Sequence, residues 1–170
     1  MEHKLSSGSQ IPDIEISLID GNTAQLYDET SNWILLIVYR GLHCPICRDY
    51  ATRFEHNLSK LQDMNTQLFF ISADPLEKAK IFGEELNLKS KIGYGLGIEE
   101  MRKLGLYVSE PRPNEVNYIF PEPELFLINP KGRLHIIGIS NAPVIRPDIN
   151  LILRGINHIQ ENNYPIRGTH

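Results

Sequence analysis

The chain's two cysteines, Cys44 and Cys47, stand three positions apart in Val38-Tyr39-Arg40-Gly41-Leu42-His43-Cys44-Pro45-Ile46-Cys47. At that spacing two sulfurs meet at one end of a helix, where one can attack a substrate and the other can resolve the mixed disulfide. A helix N-terminus favours the reactive thiolate through its unpaired N–H groups and the positive end of its dipole. Pro45 suits the first helical position, because its φ is fixed and it has no N–H to satisfy. His43, beside Cys44, can lower the thiol pKa if it is an imidazolium, although a polar loop residue in that place needs no special role. Whether a basic side chain, such as Arg40 or Arg48, reaches the sulfur of Cys47 is the observation that bears most on its chemistry.

The elements that position this pair can be read outward from it. Before it, Trp33-Ile34-Leu35-Leu36-Ile37-Val38-Tyr39 is continuously apolar and rich in β-branched and aromatic residues, as in a strand covered on both faces. After it, Ile46, Tyr50, Phe54, Leu58 and Leu61 recur at helical spacing. The order is strand, Cys-x-x-Cys, helix. A Cys-x-x-Cys in a βαβ pattern of an intracellular chain reads as a thioredoxin-like redox motif. Two plainer readings stand beside it: half of a zinc site, or a pair that merely packs or closes a structural disulfide. Zinc is disfavoured, because only two cysteines exist and no histidines have the paired ligand spacing.

Upstream, Ile14 to Tyr27 with its Gly21-Asn22 turn predicts a β-hairpin. Downstream, Gln67 to Ser72 predicts a second buried strand, reached by a crossover. Asp74-Pro75-Leu76-Glu77 reads as a helix start, with Asp74 as cap and the helix running through about Leu86. Gly93, Gly95 and Gly97 lack the spacing of a nucleotide fingerprint and read as turn glycines before a helix from Ile98 to Leu104. The segment Ser109 to Pro123, with four prolines, is an irregular stretch long enough to suggest function or mobility. Glu124 to Ile128 and Arg133 to Ile139 predict a strand, turn and strand, with His135 facing solvent. Ile149, Ile152, Leu153, Ile156 and Ile159 predict a surface helix over Pro147 to Glu161.

The composition, 41% hydrophobic and 22% charged, is ordinary globular. With 17 basic and 21 acidic residues, a net charge of −4 gives no basis for a nucleic-acid or membrane partner. No secretory signal or transmembrane run is visible, so a cytoplasmic protein is expected, where a lasting structural disulfide is disfavoured. No repeat or linker divides the chain, so residues 1–170 read as one domain.

From about residue 10 to 168 the chain resembles the peroxiredoxin-like, AhpC/TSA-type branch of the thioredoxin superfamily, with a thioredoxin-style Cys-x-x-Cys. The residues that carry this are Asp20-Gly21, the stretch Tyr39 to Cys47, Leu127-Ile128-Asn129-Pro130-Lys131-Gly132-Arg133 and Tyr164-Pro165-Ile166-Arg167-Gly168. The resemblance implies an α/β, thioredoxin-like fold: a central mixed β-sheet flanked by helices, with an N-terminal β-hairpin extension. It implies catalysis by Cys44 and Cys47 without a cofactor, and a disulfide or peroxide substrate. The electron donor would be a dithiol, such as a thioredoxin or glutathione system, and a homodimer would suit the family.

In the peroxiredoxin register Cys47 takes the peroxidatic position, Cys44 the threonine slot, Arg40 the proline slot and Pro123 the place of a distant arginine. In the thioredoxin register Cys44 attacks and Cys47 resolves. Pro123 then falls on the cis-proline, next to backbone left free for an extended substrate, and Val38 replaces a buried acid. These departures rank a thiol–disulfide oxidoreductase first, a thiol peroxidase second and a redox-responsive binding module third, with His43, Pro45, Pro123 and Arg40 as tuning or positioning residues.

Overall fold

The computed structural model describes residues 4–27 and 32–170. The hairpin is strands β1 (Glu15–Leu18) and β2 (Thr23–Gln25), and the apolar run is β3 (Trp33–Val38). Helices α1 (Pro45–Glu55) and α2 (Leu58–Asp63) lead to β4 (Thr66–Ile71), then α3 (Leu76–Glu85), β5 (Lys91–Tyr94) and α4 (Ile98–Lys103). Two short strands, β6 (Val108–Ser109) and β7 (Phe120–Pro121), precede β8 (Glu124–Ile128), β9 (Leu134–Ile139) and the closing helix α5 (Ile149–Asn162).

Seven of these strands form one sheet in the order β2-β1-β5-β4-β3-β8-β9. β3 lies inside it, parallel to β4 from Trp33↔Thr66 to Val38↔Ile71 and antiparallel to β8 from Ile34↔Ile128 to Val38↔Glu124. Its side chains alternate between two cores. Leu35, Ile37 and Tyr39 meet α1 and α5 on the face that also buries Cys44 and Cys47, whereas Ile34, Leu36 and Val38 pack with Ile16, Phe126 and Met101. This two-sided burial explains why the run is apolar without alternation.

The expected mixed α/β sheet is present, and the hairpin extends it directly, because β1 pairs antiparallel with β5. Four local expectations change. The helix predicted to reach Leu61 breaks at His56–Asn57, where Asn57 Nδ2 donates to the Arg53 carbonyl at 2.9 Å and ends the first helix. Gly93 is a strand residue rather than a turn residue, in a place where a Cβ would run into Ile16 and Phe69. Asp74 does not cap α3: Pro75 holds that position without a side-chain bond, and Asp74 turns inward. His135 is half-buried against Trp33, ring centres 5.3 Å apart, at the opposite end of β3 from the cysteines.

Candidate active site

β3 delivers the chain to Gly41, whose φ of +141° is open to glycine and strained for other residues. The turn closes when the Cys44 N–H donates to the Gly41 carbonyl at 3.1 Å, and this sets Cys44 at the N-cap of α1 with Pro45 in the first turn. Cys44 Sγ accepts the Cys47 N–H at 3.3 Å and so serves as the capping group itself. Both cysteines are almost wholly enclosed, at 2% and 1% exposure.

A guanidinium reaches the second sulfur, and it belongs to Arg146. Its Nη2 donates to Cys47 Sγ at 2.9 Å. Arg146 is held in turn by its Nε bond to the Pro143 carbonyl at 2.7 Å and by lying over the Tyr50 ring at 4.8 Å. Tyr50, three residues beyond Cys47 on α1, donates its hydroxyl to the Pro147 carbonyl at 2.8 Å and ties that loop to the helix. Sequence reasoning passed over Arg146; its signal was a lone basic residue fixed between Pro143 and Pro147.

The two sulfurs divide one proton. Cys44 is lowered to about 6, first by its hydrogen bond with Cys47, helped by the Cys47 amide and the charges of Arg146 and Arg40. Burial pushes the Cys47 thiol up, and the neighbouring Cys44 sulfur adds to this, against the pull of Arg146 and the Arg40 backbone amide. These influences favour the thiolate on Cys44 and the proton on Cys47.

The other predicted residues fall around this pair in different roles. Arg40 turns to the loop between β6 and β7, pairing with Glu115 at 3.4 Å and Glu122 at 3.3 Å and stacking on Phe120 at 4.8 Å. Arg48 faces the surface and pairs with Glu85 at 2.6 Å. His43 stands beside Cys44 with its pKa pushed down, by burial first and then by Arg40, and its ring packs edge-on to Phe120 at 4.9 Å. Pro123 borders a small cavity with Tyr50, Arg146 and Pro147. Its peptide bond is trans, and no cis bond occurs among the described residues. Among the described residues no three His, Cys, Asp or Glu side chains converge to hold a metal ion.

The backbone before Pro123 is also occupied. The Glu122 N–H donates to the Tyr107 carbonyl at 2.8 Å, and Phe120 and Pro121 pair antiparallel with Ser109 and Val108. Arg40 and Tyr118 fasten the loop between these strands over the cysteine turn, Tyr118 through Asp74.

A mixed sheet that feeds a dithiol at the head of a helix with one face in the core defines a peroxiredoxin-like member of the thioredoxin superfamily, a class of thiol-dependent oxidoreductases. Residues 7–137 match the AhpC/TSA family, and the chain belongs to that family. It is 20% identical over 162 residues to a 1-Cys peroxiredoxin of Medicago truncatula, covering 92% of this chain and 74% of that protein. Among solved structures, peroxiredoxin 6 of Arenicola marina superposes with a TM-score of 0.80 at 18% identity, over 94% of this chain and 75% of the other. PrxQ of Xylella fastidiosa superposes with a TM-score of 0.75 at 17% identity, over 96% of this chain and all of the other.

Proposed function

We propose that this chain is a dithiol peroxidase in which Cys44 is the attacking thiolate and Cys47 the resolving thiol. The observation that carries it is the enclosure of both sulfurs, with the Arg146 guanidinium already on one of them. A hydroperoxide makes a far smaller demand on access than a protein disulfide, which would need the backbone before Pro123 that already bonds to Tyr107. This reverses the order favoured by the sequence alone.

The chemistry balances on the two thiols. The Cys44 thiolate attacks the terminal oxygen of the hydroperoxide; the O–O bond breaks, and Cys44 becomes a sulfenic acid. Cys47, whose pKa burial has raised, gives its proton to the departing alkoxide or hydroxide. The resulting Cys47 thiolate is stabilised by Arg146 and attacks the Cys44 sulfur; hydroxide leaves and takes up a proton from solvent as water. One hydroperoxide and two thiols give one alcohol or water, one further water and the Cys44–Cys47 disulfide. A dithiol donor, or a glutathione system in a reducing cytoplasm, then restores the pair.

Stopped-flow consumption of hydrogen peroxide by the reduced protein tests this. The expected result is two thiols lost per peroxide, with Cys47→Ser still consuming one equivalent and holding a dimedone-reactive sulfenic acid on Cys44. Undiminished consumption by Cys44→Ser, with the sulfenic acid on Cys47, would reverse the two roles. The second reading, disulfide reductase, draws on the Cys-x-x-Cys spacing and the lowered Cys44 pKa. Reduction of insulin disulfides faster than peroxide would restore it to first place.

A further inference from the structure

We infer that Asp74 is a positioning residue for the cysteine pair: its carboxylate, held by Tyr118, fixes the turn that sets Cys44 at the head of α1. The inference rests on the reading of Cys44 as the attacking thiolate.

Asp74 lies just after β4 and is fully buried. A buried carboxylate is costly unless its oxygens are bonded, and helix capping does not account for this one. Its Oδ2 accepts the Leu42 N–H at 2.7 Å, and its Oδ1 accepts the Tyr118 hydroxyl at 2.7 Å. The Tyr118 oxygen in turn accepts from Lys78 Nζ at 3.1 Å. One carboxylate thus joins the cysteine turn, the loop between β6 and β7 and, through Tyr118, helix α3.

Leu42 stands inside the turn closed by the Cys44 N–H on the Gly41 carbonyl. Fixing its amide fixes the peptide planes on either side, and with them the direction in which Cys44 enters α1. Gly41 fits the same arrangement: a Cβ there would sit 2.6 Å from Asp74 Oδ1 and 3.0 Å from His43 Nδ1, so the carboxylate closes against bare backbone. The titratable and charged groups facing Asp74 are Tyr118 and Lys78 through this chain of bonds, and His43 and Tyr39 through space. Those acting on Cys44 are Cys47, Arg146 and Arg40.

Positioning and simple charge have opposite signs here. An anion nearby disfavours a thiolate, so if Asp74 acted only by its charge, neutralising it would lower the Cys44 pKa. If Asp74 positions the turn, its loss frees Cys44 from the Cys47 N–H and raises that pKa. The experiment follows thiolate ultraviolet absorbance against pH, and iodoacetamide alkylation of Cys44 read by mass spectrometry, in the full chain with Asp74→Asn and with Tyr118→Phe.

The expected result is a midpoint raised by about one pH unit in Asp74→Asn, with alkylation near pH 6 slowed about five-fold. A smaller rise is expected in Tyr118→Phe. A folded Asp74→Asn protein whose midpoint is lowered or unmoved overturns the inference. If that variant does not fold, Tyr118→Phe decides alone, since it removes only a half-buried hydroxyl, and an unmoved midpoint there is equally fatal. No oxidant enters these measurements. A wild type that consumes no peroxide would therefore sink the peroxidase reading and leave this one to be decided by the shift.

Discussion

Arg146 changes what the cysteine motif can do. On spacing alone Cys44-Pro45-Ile46-Cys47 is a thioredoxin-style pair, but its second sulfur accepts a charge-assisted hydrogen bond from a residue 99 positions away. Removing that donor with Arg146→Gln should slow closure of the disulfide by about ten-fold or more, since hydrogen bonds to charged groups contribute about 1.5–3 kcal/mol. Rapid-quench thiol counting after a single peroxide equivalent measures it; closure at the wild-type rate would show that Arg146 is a bystander. The pH dependence has a definite sign as well. Because the Cys44 pKa is lowered to about 6, peroxide consumption should be lost as pH falls through that value and level off above it. The pair and its place at the helix start were legible in residue type and spacing. Arg146 was not, because contact between distant segments leaves no local pattern, and the environment of His43 was not either, because burial that pushes its pKa down comes with Phe120 packed on it from another loop.

The elements were read most surely where one period ran uninterrupted. β3 and α5 carry clean signals, the first a continuous apolar run and the second isoleucines at helical spacing, and both appear as expected. β5 was hidden because Gly93 and Gly95 read as turn residues, yet Gly93 is flat against Ile16 and Phe69 where the hairpin joins the sheet. Gly93→Ala should accordingly cost about 2 kcal/mol in urea unfolding, because Ile16 is β-branched and cannot swing its methyl aside cheaply. A loss below about 0.5 kcal/mol would mean that the junction yields. The proline-rich segment from Ser109 to Pro123 was expected to be functional or mobile. It is bracketed by β6 and β7 and bonded to Arg40 and Asp74, so it is tied to the cysteine turn by interactions that depend on residues far away in the chain.

At the scale of the whole molecule, the sheet separates two buried ionisable centres. Glu124 opens β8 opposite Val38, on the face away from the sulfurs, and is 3% exposed. Burial raises its carboxyl to about 8, so the folded protein holds it protonated at pH 7 whereas the unfolded chain, near 4.5, does not. Stability from this group is complete below pH 4.5 and is lost as pH rises towards about 8. Melting of Glu124→Gln against wild type should show the variant gaining about 4 kcal/mol over that interval, and parallel curves would contradict it. The pinned β6–β7 ribbon has a consequence for time rather than structure. For the proposed peroxidase, a shield that admitted a small oxidant but hindered a protein reductant would make recovery the slow half of each cycle. Under sustained peroxide the protein would accumulate in its oxidised form, and that fraction, more than any turnover number, would record how much oxidant had passed.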